Sequence, residues 1–168
     1  MAQFFNISGE LTQQLLVPNN KTKVNKILLT NVQKIAECKV DLYIEKPLAG
    51  KFYLLKAVEL PKGTTLVYDD IYYDNSFGLY IKLTDGATFT LTGSIDVTGT
   101  NVNVPGTNTL FTSELSIGDE VVISGETRTI TTITSDTAAT VTAAFGSDLS
   151  NDTSPDCNPT ALVDVIIN

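Results

Sequence analysis

The chain of 168 residues has no histidine and no tryptophan, one methionine and two cysteines. Without histidine it cannot build a Ser-His-Asp or Cys-His catalytic arrangement, and it has no imidazole to bind a metal. It also has no glycine-rich phosphate loop. Nineteen acidic residues could supply a carboxylate pair for glycoside cleavage, but the adjacent Asp69 and Asp70 are more simply a solvated strand end. We therefore expect a protein that is not an enzyme and needs no cofactor.

Long apolar runs are also lacking. No stretch of about twenty apolar residues is available to cross a bilayer, and the opening MAQFF has neither the basic segment nor the apolar core of a signal peptide. The net charge of −8 disfavours binding to nucleic acid, which needs clustered cations. We expect a chain that stays in the cytoplasm where it is made, with no membrane or nucleic-acid partner.

Cysteine usage fits that compartment. Cys38 and Cys157 are far apart and belong to no metal-binding spacing. We expect two reduced thiols, with Cys38 on a strand and Cys157 exposed in a loop. A disulfide between the two is the alternative, and nothing in the sequence favours it.

Charge and composition change abruptly near residue 83. Ten of the eleven basic residues lie at or before Lys82, against eight acidic ones, which gives a net charge of +2. From Leu83 onward Arg128 is the only base, against eleven acids, which gives −10. Threonine rises from five residues to nineteen across the same boundary. The final segment, 161–167, is apolar and alternating, like the strands before residue 83. We interpret residues 1–92 and 160–168 as one β-domain, interrupted by a Thr-rich, acidic β insertion at 93–159.

Nearly all of the first part reads as short strands separated by turns. Alternating or β-branched runs predict strands at 4–7, 14–17, 24–30, 39–45, 54–60, 64–68, 79–83 and 162–167, with the sixth continuing through 69–75. The one helix candidate, 32–37, is too short to be more than a turn or two. Strict period two places Val163, Val165 and Ile167 on one face of the last strand. The fold class predicted is all-β, a β-sandwich with an inserted small module before its last strand.

The insertion predicts two hairpins of its own. The first joins 120–123 to 128–133, and the second passes through 135–137 into 139–142. Alternation predicts a small shared core made of Val121, Ile123, Ile130, Ile133, Val141 and Phe145. About fifty residues bury only a thin core, so we expect a miniature barrel of SH3-like or OB-like kind that leans on a neighbour.

Two groups of residues are candidate binding sites. Lys21, Lys23 and Lys26 form the one basic cluster, which could equally be a solvated turn and strand face. Tyr72 and Tyr73 are adjacent, so on a strand one would point inward and one outward as a binding platform. A third group, Asp148, Asp152 and Asp156, has oxygen ligands but not the EF-hand pattern, and we interpret it as a flexible acidic loop without metal.

Particular runs of this sequence resemble the small β-sandwich structural proteins of tailed bacteriophages. They are 16–31, 40–44, 54–68 and 163–167, in which a turn, a long strand, an asparagine, a second strand and a Pro-Lys-Gly-Thr-Thr-Leu segment follow one another. The segments 110–119, 135–137 and 143–145 are similar to small β-modules of phage particles. The resemblance covers about two thirds of the chain through residues that set a fold.

The resemblance implies a non-enzymatic virion structural protein, either a capsid decoration protein or a neck or tail accessory protein. Such a protein would be assembled in the host cytoplasm, form a homo-oligomer and bind other virion proteins, with the three lysines as attachment contacts. The alternative is a receptor- or carbohydrate-binding module of a tail or head fibre, presenting Tyr72 or Tyr73. The lack of tryptophan weakens that alternative.

Overall fold

The chain folds as two compact β-units. The structure is a computed structural model, and it describes residues 2–168. Unit 1 extends to Asp85 and resumes at Ala161–Asn168, whereas unit 2 is Gly86–Thr160. Apart from one short helix, the regular elements of the described residues are all strands, which confirms the all-β class.

Unit 1 is a sandwich of two four-stranded antiparallel sheets. Its strands are β1 (Gln3–Ser8), β2 (Gln13–Leu16), β3 (Lys26–Asn31), β4 (Cys38–Lys46), β5 (Gly50–Leu60), β6 (Thr65–Asp69), β7 (Gly78–Thr84) and β16 (Leu162–Ile167). The first sheet has the order β1-β16-β3-β6, and the second has the order β2-β7-β4-β5. Each of the eight strands in unit 1 matches a segment that the sequence pattern predicts.

The core of unit 1 lies between the two sheets because the strands alternate buried and exposed side chains. In β16 the prediction is confirmed: Val163, Val165 and Ile167 are buried, and the residues between them are only partly so. These three belong to one apolar cluster that also includes Leu42 of β4 and Ile81 of β7. The apolar faces of both sheets are therefore removed from water together.

The last strand holds the first sheet together. β16 pairs along its whole length with β1 on one side and with β3 on the other. β1 has no other partner strand in the described chain. Since β16 is separated from the other seven strands by unit 2, the sheet can be completed only after unit 2 and residues 162–167 have been made.

A buried asparagine fixes the connection between β3, β4 and β6. Asn31 is fully buried, and its amide nitrogen donates to the carbonyl oxygens of Ala36 (3.0 Å) and Leu60 (2.9 Å). Its backbone N–H donates to Thr64 O, and its carbonyl accepts from Gly63 N–H. All of these bonds satisfy groups that would otherwise be buried without partners. The asparagine and the Pro-Lys-Gly-Thr-Thr segment, which are distant in sequence, therefore meet at one point.

Unit 2 is a single antiparallel sheet with one helical turn. Its elements are β8 (Phe89–Thr90), β9 (Ser94–Val97), β10 (Asn103–Thr107), α1 (Phe111–Glu114), β11 (Glu120–Ile123), β12 (Glu126–Ser135), β13 (Ala138–Val141), β14 (Leu149–Asp152) and β15 (Asp156–Asn158). The strand order is β14-β9-β10-β13-β12-β11-β15-β8. Both predicted hairpins, β11–β12 and β12–β13, are present.

The strand order of unit 2 requires the sheet to curl. Only residues 153–155 connect β14, at one end of the order, to β15, which lies next to the other end. Such a connection spans at most about 14 Å, whereas six strand spacings in a flat sheet are about 29 Å. The two ends of the sheet must therefore approach each other, as in a small barrel.

Several local expectations are wrong. The sixth strand ends at Asp69, so residues 71–74 are irregular, and no helix forms at 32–37. Cys157 is not in an exposed loop but is buried on β15. Ile133 is only half-buried, although the register shift between Ile130 and Thr132 places it on the same face as Ile130, opposite the buried Ala139. The other five predicted core residues of the insertion are buried.

The unit boundary also differs from the one drawn from composition. The boundary at 92/93 leaves Phe89 and Thr90 with the sandwich, whereas these residues pair with Cys157 and Asp156 in unit 2. Counted by unit, unit 1 has ten bases and ten acids, and unit 2 has one base and nine acids. The net charges are therefore 0 and −8.

We predict that Val165→Asp prevents soluble folding of the chain. The change buries an unpaired carboxylate in the sandwich core, at a cost of several kcal/mol against a total stability of about 5–15 kcal/mol. Urea unfolding followed by circular dichroism measures the effect. Ile166→Asp is the matched control, because its side chain lies on the other face of the same strand and is partly exposed. Equal stability of the two variants would contradict the assignment of faces.

We predict that unit 1 folds without unit 2. Ala161 N–H donates to the Asp85 carboxylate at 2.7 Å, so the two ends of the excised segment are adjacent. Replacing residues 86–160 by a short Gly/Ser linker also shortens a loop, and each doubling of loop length changes stability by only about 0.6 kcal/mol. The shortened chain should show a β-type circular dichroism spectrum and a cooperative unfolding transition. A random-coil spectrum would show that unit 2 is part of the folding unit.

Candidate binding surfaces

The three predicted lysines lie together at one end of unit 1. Lys21 and Lys23 are exposed in the loop between β2 and β3, and Lys26 is exposed at the start of β3. Among the described residues, none of the three takes part in an ion pair. The three ammonium groups are therefore available to an anionic partner.

The loop that carries Lys21 and Lys23 is held by its own hydrogen bonds. The Asn20 side chain accepts from the N–H of Thr22 (2.8 Å) and from its hydroxyl (2.7 Å). Gln3 of β1 donates to the same hydroxyl at 3.0 Å. This loop, β1 and Asn168 line an open depression of about 590 Å³. The two lysines are thus presented from a fixed loop.

The two predicted tyrosines separate. Tyr72 is 92 % exposed beside a second shallow depression, whose lining includes Asn25, a residue that also lines the first. Tyr73 packs against the core, and its hydroxyl donates to Phe77 O at 2.7 Å. Burial, together with Asp74 and Tyr80, raises the pKa of Tyr73. The structure therefore turns Tyr72 outward, at the end that carries the lysines, and Tyr73 inward, although neither residue lies on a strand.

The three aspartates considered as calcium ligands have separate partners. Asp148 accepts from Gly99 N–H, Asp152 from the N–H groups of Ser124 and Ser154, and Asp156 from the Thr90 hydroxyl. Their segment contains β14 and β15 rather than the flexible loop expected. Within residues 2–168, no group of three or more acidic or cysteine side chains is arranged to hold a metal ion.

The sequence reasoning missed an apolar row across the outer face of the first sheet. Phe4 pairs with Ile166, Ile166 with Leu28, and Leu28 with Val67, so four apolar side chains stand side by side on four strands. Phe4 is 71 % exposed and Val67 is 48 % exposed. We call Phe4, Ile166, Leu28 and Val67 the apolar row. In runs such as Phe4-Phe5 and Leu28-Leu29 the sequence does not show which side chain points outward, and only the strand register shows that the four are neighbours.

The next row of the same face is polar and closed by hydrogen bonds. The Asn6 amide donates to Asp164 at 2.6 Å, and the hydroxyls of Thr30 and Thr65 are 2.9 Å apart. These pairs satisfy one another across neighbouring strands. Because the polar row is already hydrogen-bonded, the apolar row is the part of this face whose burial against a partner would still be favourable.

The outer face of the second sheet carries three neighbouring tyrosine rings, two of which contact lysines. Tyr43 stacks on Tyr80 and is tilted against Tyr53, with ring centroids 5.5 Å apart in both pairs. Lys51 lies 3.9 Å above the Tyr43 ring, and Lys56 lies 4.4 Å from the Tyr53 ring. These cation–π contacts occupy the ring faces, and Tyr43 is only 3 % exposed. Phe52 and Tyr53 of β5 nevertheless remain 52 % and 45 % exposed, so the second sheet keeps some open aromatic surface.

One of those lysines is further held by a carboxylate. Lys56 donates to Asp41 at 2.7 Å, and Ala57 N–H donates to the other oxygen of Asp41 at 2.7 Å. Burial opposes ionisation of Asp41, but these hydrogen bonds hold its pKa below the ordinary value. Ala57 has a φ of 49°, so this pairing also fixes an irregular point of β5.

Both thiols are buried and resist ionisation. Burial raises the pKa of Cys38 from 9.0 to about 11, with further contributions from Asp85 and Glu37. Burial and the neighbouring Asp119 raise the pKa of Cys157 still further. Asp119 is itself fully buried and accepts from the N–H groups of Ser116 (2.7 Å) and Thr160 (3.0 Å). These hydrogen bonds of Asp119 hold the chain just before β11 and at the end of unit 2. With their raised pKa values, neither thiol is a ready nucleophile.

Comparisons with known proteins add no family. No protein-family model matches the chain, and no curated protein or solved structure matches it either. No helix among residues 2–168 is long and apolar enough to span a bilayer.

We predict that both thiols are unreactive in the folded protein. At pH 8 a disulfide reagent such as DTNB should label neither cysteine in the native state and both in urea. The absorbance of the thiolate released from the reagent counts the labelled cysteines. The two cysteines are free and buried, so both must become accessible on unfolding. Rapid labelling of one thiol under native conditions would contradict its burial.

The same thiols should affect stability in alkaline solution. Because the folded-state pKa of Cys38 lies above the unfolded value, its contribution is complete below about pH 9 and is lost as pH rises towards 11. Cys38→Ala should therefore show a weaker fall in stability over that interval than the parent chain.

Proposed function

We propose that the protein is a non-enzymatic structural component of a tailed bacteriophage particle, either a capsid decoration protein or a neck or tail accessory protein. The observation that carries this proposal is the exposed apolar row across the first sheet. An apolar strip of this kind, bordered by polar pairs, is typical of a surface that packs against another protein. We infer that unit 1 attaches to neighbouring particle proteins through this face.

The size of the face favours a protein that acts in many copies. Four strands at about 4.8 Å spacing and about 17 Å of strand length give an area of roughly 330 Å². A stable interface buries about 800 Å² on each partner, so one such face binds weakly alone. On a regular particle surface, many weak contacts add up through symmetry and effective concentration. A face of this size suits a decoration or accessory protein better than a soluble two-protein complex.

The residues that carry the resemblance to phage β-sandwich proteins also support the proposal. Asn31 and the segment from Leu60 to Thr64 meet in one buried hydrogen-bond network. The resemblance therefore involves residues that determine how β3, β4 and β6 connect. A shared fold supports a shared function only by analogy, and binding of the protein to particles tests the function directly.

The charge distribution supports attachment through unit 1 rather than unit 2. Unit 1 has a net charge of zero, whereas unit 2 carries −8. Bringing unit 2 against an acidic particle surface would cost repulsion that only salt screens. Lys21, Lys23 and Lys26, exposed on unit 1, would instead attract that surface and orient the approach.

We predict that replacing Lys21, Lys23 and Lys26 by Glu weakens binding to particles that lack this protein. The loss should be largest at low ionic strength and smaller at high ionic strength, since exposed charges are screened beyond about 10 Å at 0.1 M salt. Co-sedimentation of purified protein with particles measures the binding. Immunogold microscopy of the intact particle then separates a head position from a neck or tail position.

A matched variant controls for the change in net charge. Lys34, Lys62 and Lys82 are also exposed on unit 1 and form no ion pair among the described residues. Their replacement by Glu changes the charge equally and should affect binding less. A second arm, Val67→Glu, charges the apolar row and should reduce binding at every salt concentration. If the protein shows no binding to any particle surface, the proposal is wrong.

A further inference from the structure

The free edge of the first sheet at β1 has features of a strand-pairing site. β1 is the terminal strand in the order β1-β16-β3-β6, so one of its two sides has no partner strand in the described chain. Its six residues, QFFNIS, carry no charge and no proline, and they pair with β16 without a register shift. Such an edge is a template for another strand.

Hydrogen-bond alternation shows which groups the edge presents. Gly9 N–H donates to Ala161 O, which places the bonded pairs of this antiparallel ladder at odd-numbered residues of β1. The N–H and C=O groups of Phe4, Asn6 and Ser8 therefore point away from β16. The side chains of the same three residues are exposed. The edge thus offers three consecutive sets of donors and acceptors together with an exposed phenyl ring.

The other three edges of the sandwich are less suited to pairing. β2 has only four residues and a register shift against β7. β5 has register shifts against β4 and carries Lys51 and Lys56. β6 ends in Asp69. Short length, irregularity and charge are the usual means by which proteins protect sheet edges, and β1 has none of them.

We propose that β1 is a self-association strand, which pairs antiparallel with β1 of a second copy of this chain. A two-fold axis normal to the sheet would join two first sheets into one of eight strands, with both apolar rows on the same face. A second copy is the occupant that the composition favours. An uncharged strand meets itself without like charges facing each other, whereas β5 would place lysines against lysines. This inference concerns the isolated protein in solution and does not depend on the proposed particle.

Salt should influence this association in a defined direction. Each chain carries a net charge of −8, so two copies repel at low ionic strength. The pairing itself rests on backbone hydrogen bonds and apolar contact, which salt does not screen. The dimer should therefore become tighter as the salt concentration rises, opposite to the trend expected for lysine-mediated attachment.

Sedimentation velocity of the full chain over a range of concentrations tests the proposal. We expect a monomer–dimer equilibrium that Phe4→Pro weakens at least about tenfold in Kd, because the lost N–H is removed twice in a two-fold pair. Val67→Pro is the matched control. Val67 lies at the opposite end of the same apolar row and, by the same alternation, its N–H points to the free edge of β6. It should leave the dimer unchanged.

Phe4→Ala separates the backbone edge from the side chain. It removes the exposed ring but keeps the N–H, so it should weaken the dimer less than Phe4→Pro. A chain that stays monomeric at all concentrations would overturn the proposal. So would a dimer that Phe4→Pro leaves intact, or one that Phe4→Ala or Val67→Pro weakens as much as Phe4→Pro does.

Hydrogen exchange of the unmodified chain gives a test that needs no variant. The amides of Phe4, Asn6 and Ser8 should become protected as concentration rises, whereas the edge amide of Val67 should not. Phe5 and Ile7, whose amides bond to β16, should be protected throughout, and in Phe4→Pro they report whether β1 remains in the sheet. If β1 leaves the sheet in that variant, the test is whether amide protection of Phe4, Asn6 and Ser8 in the unmodified chain rises with concentration. No such rise would exclude pairing at β1.

Discussion

The pairing of β16 between β1 and β3 is the interaction on which the rest of unit 1 depends. It supplies the only partner of β1 in the described chain and fills one side of the sandwich core with Val163, Val165 and Ile167. Because β16 lies beyond unit 2 in sequence, residues 85 and 161 must be adjacent, and a hydrogen bond between them records that proximity. Unit 2 is consequently built as a self-contained sheet whose own ends meet.

Both outer faces of the sandwich carry apolar side chains, but these have different surroundings on the two sheets. A two-layer sandwich has too little polar surface to cover both faces, so apolar groups must remain outside. On the second sheet, Lys51 lies over the buried ring of Tyr43, and Lys56 lies over the ring of Tyr53, which remains 45 % exposed. On the first sheet, Phe4 is 71 % exposed and Val67 is 48 % exposed. On the first sheet the exposed Phe4 lies on β1, so an apolar side chain and an unpaired strand edge occur together there.

Acidic residues in unit 2 act mainly as hydrogen-bond acceptors for backbone. Asp119, Asp148 and Asp152 each accept from main-chain N–H groups in turns, which would otherwise lack partners in short, irregular connections. Their number therefore has a structural explanation that requires neither a metal nor a catalytic role. The same carboxylates give unit 2 its charge of −8, which sets how copies of the chain repel each other at low salt.

The sequence by itself determined the all-β class, the position of most strands and the inward face of β16, because a period of two is a local property of the chain. It also indicated that a different kind of segment separates β16 from the other strands. It did not determine the apolar row, the buried position of Cys157 or the end of β6 at Asp69. Those features depend on which strands pair and in which register, and residues such as Phe4, Leu28, Val67 and Ile166 become neighbours only through hydrogen bonds between distant segments. Tertiary structure decided them because a shift of one residue in pairing would have placed each side chain on the opposite face.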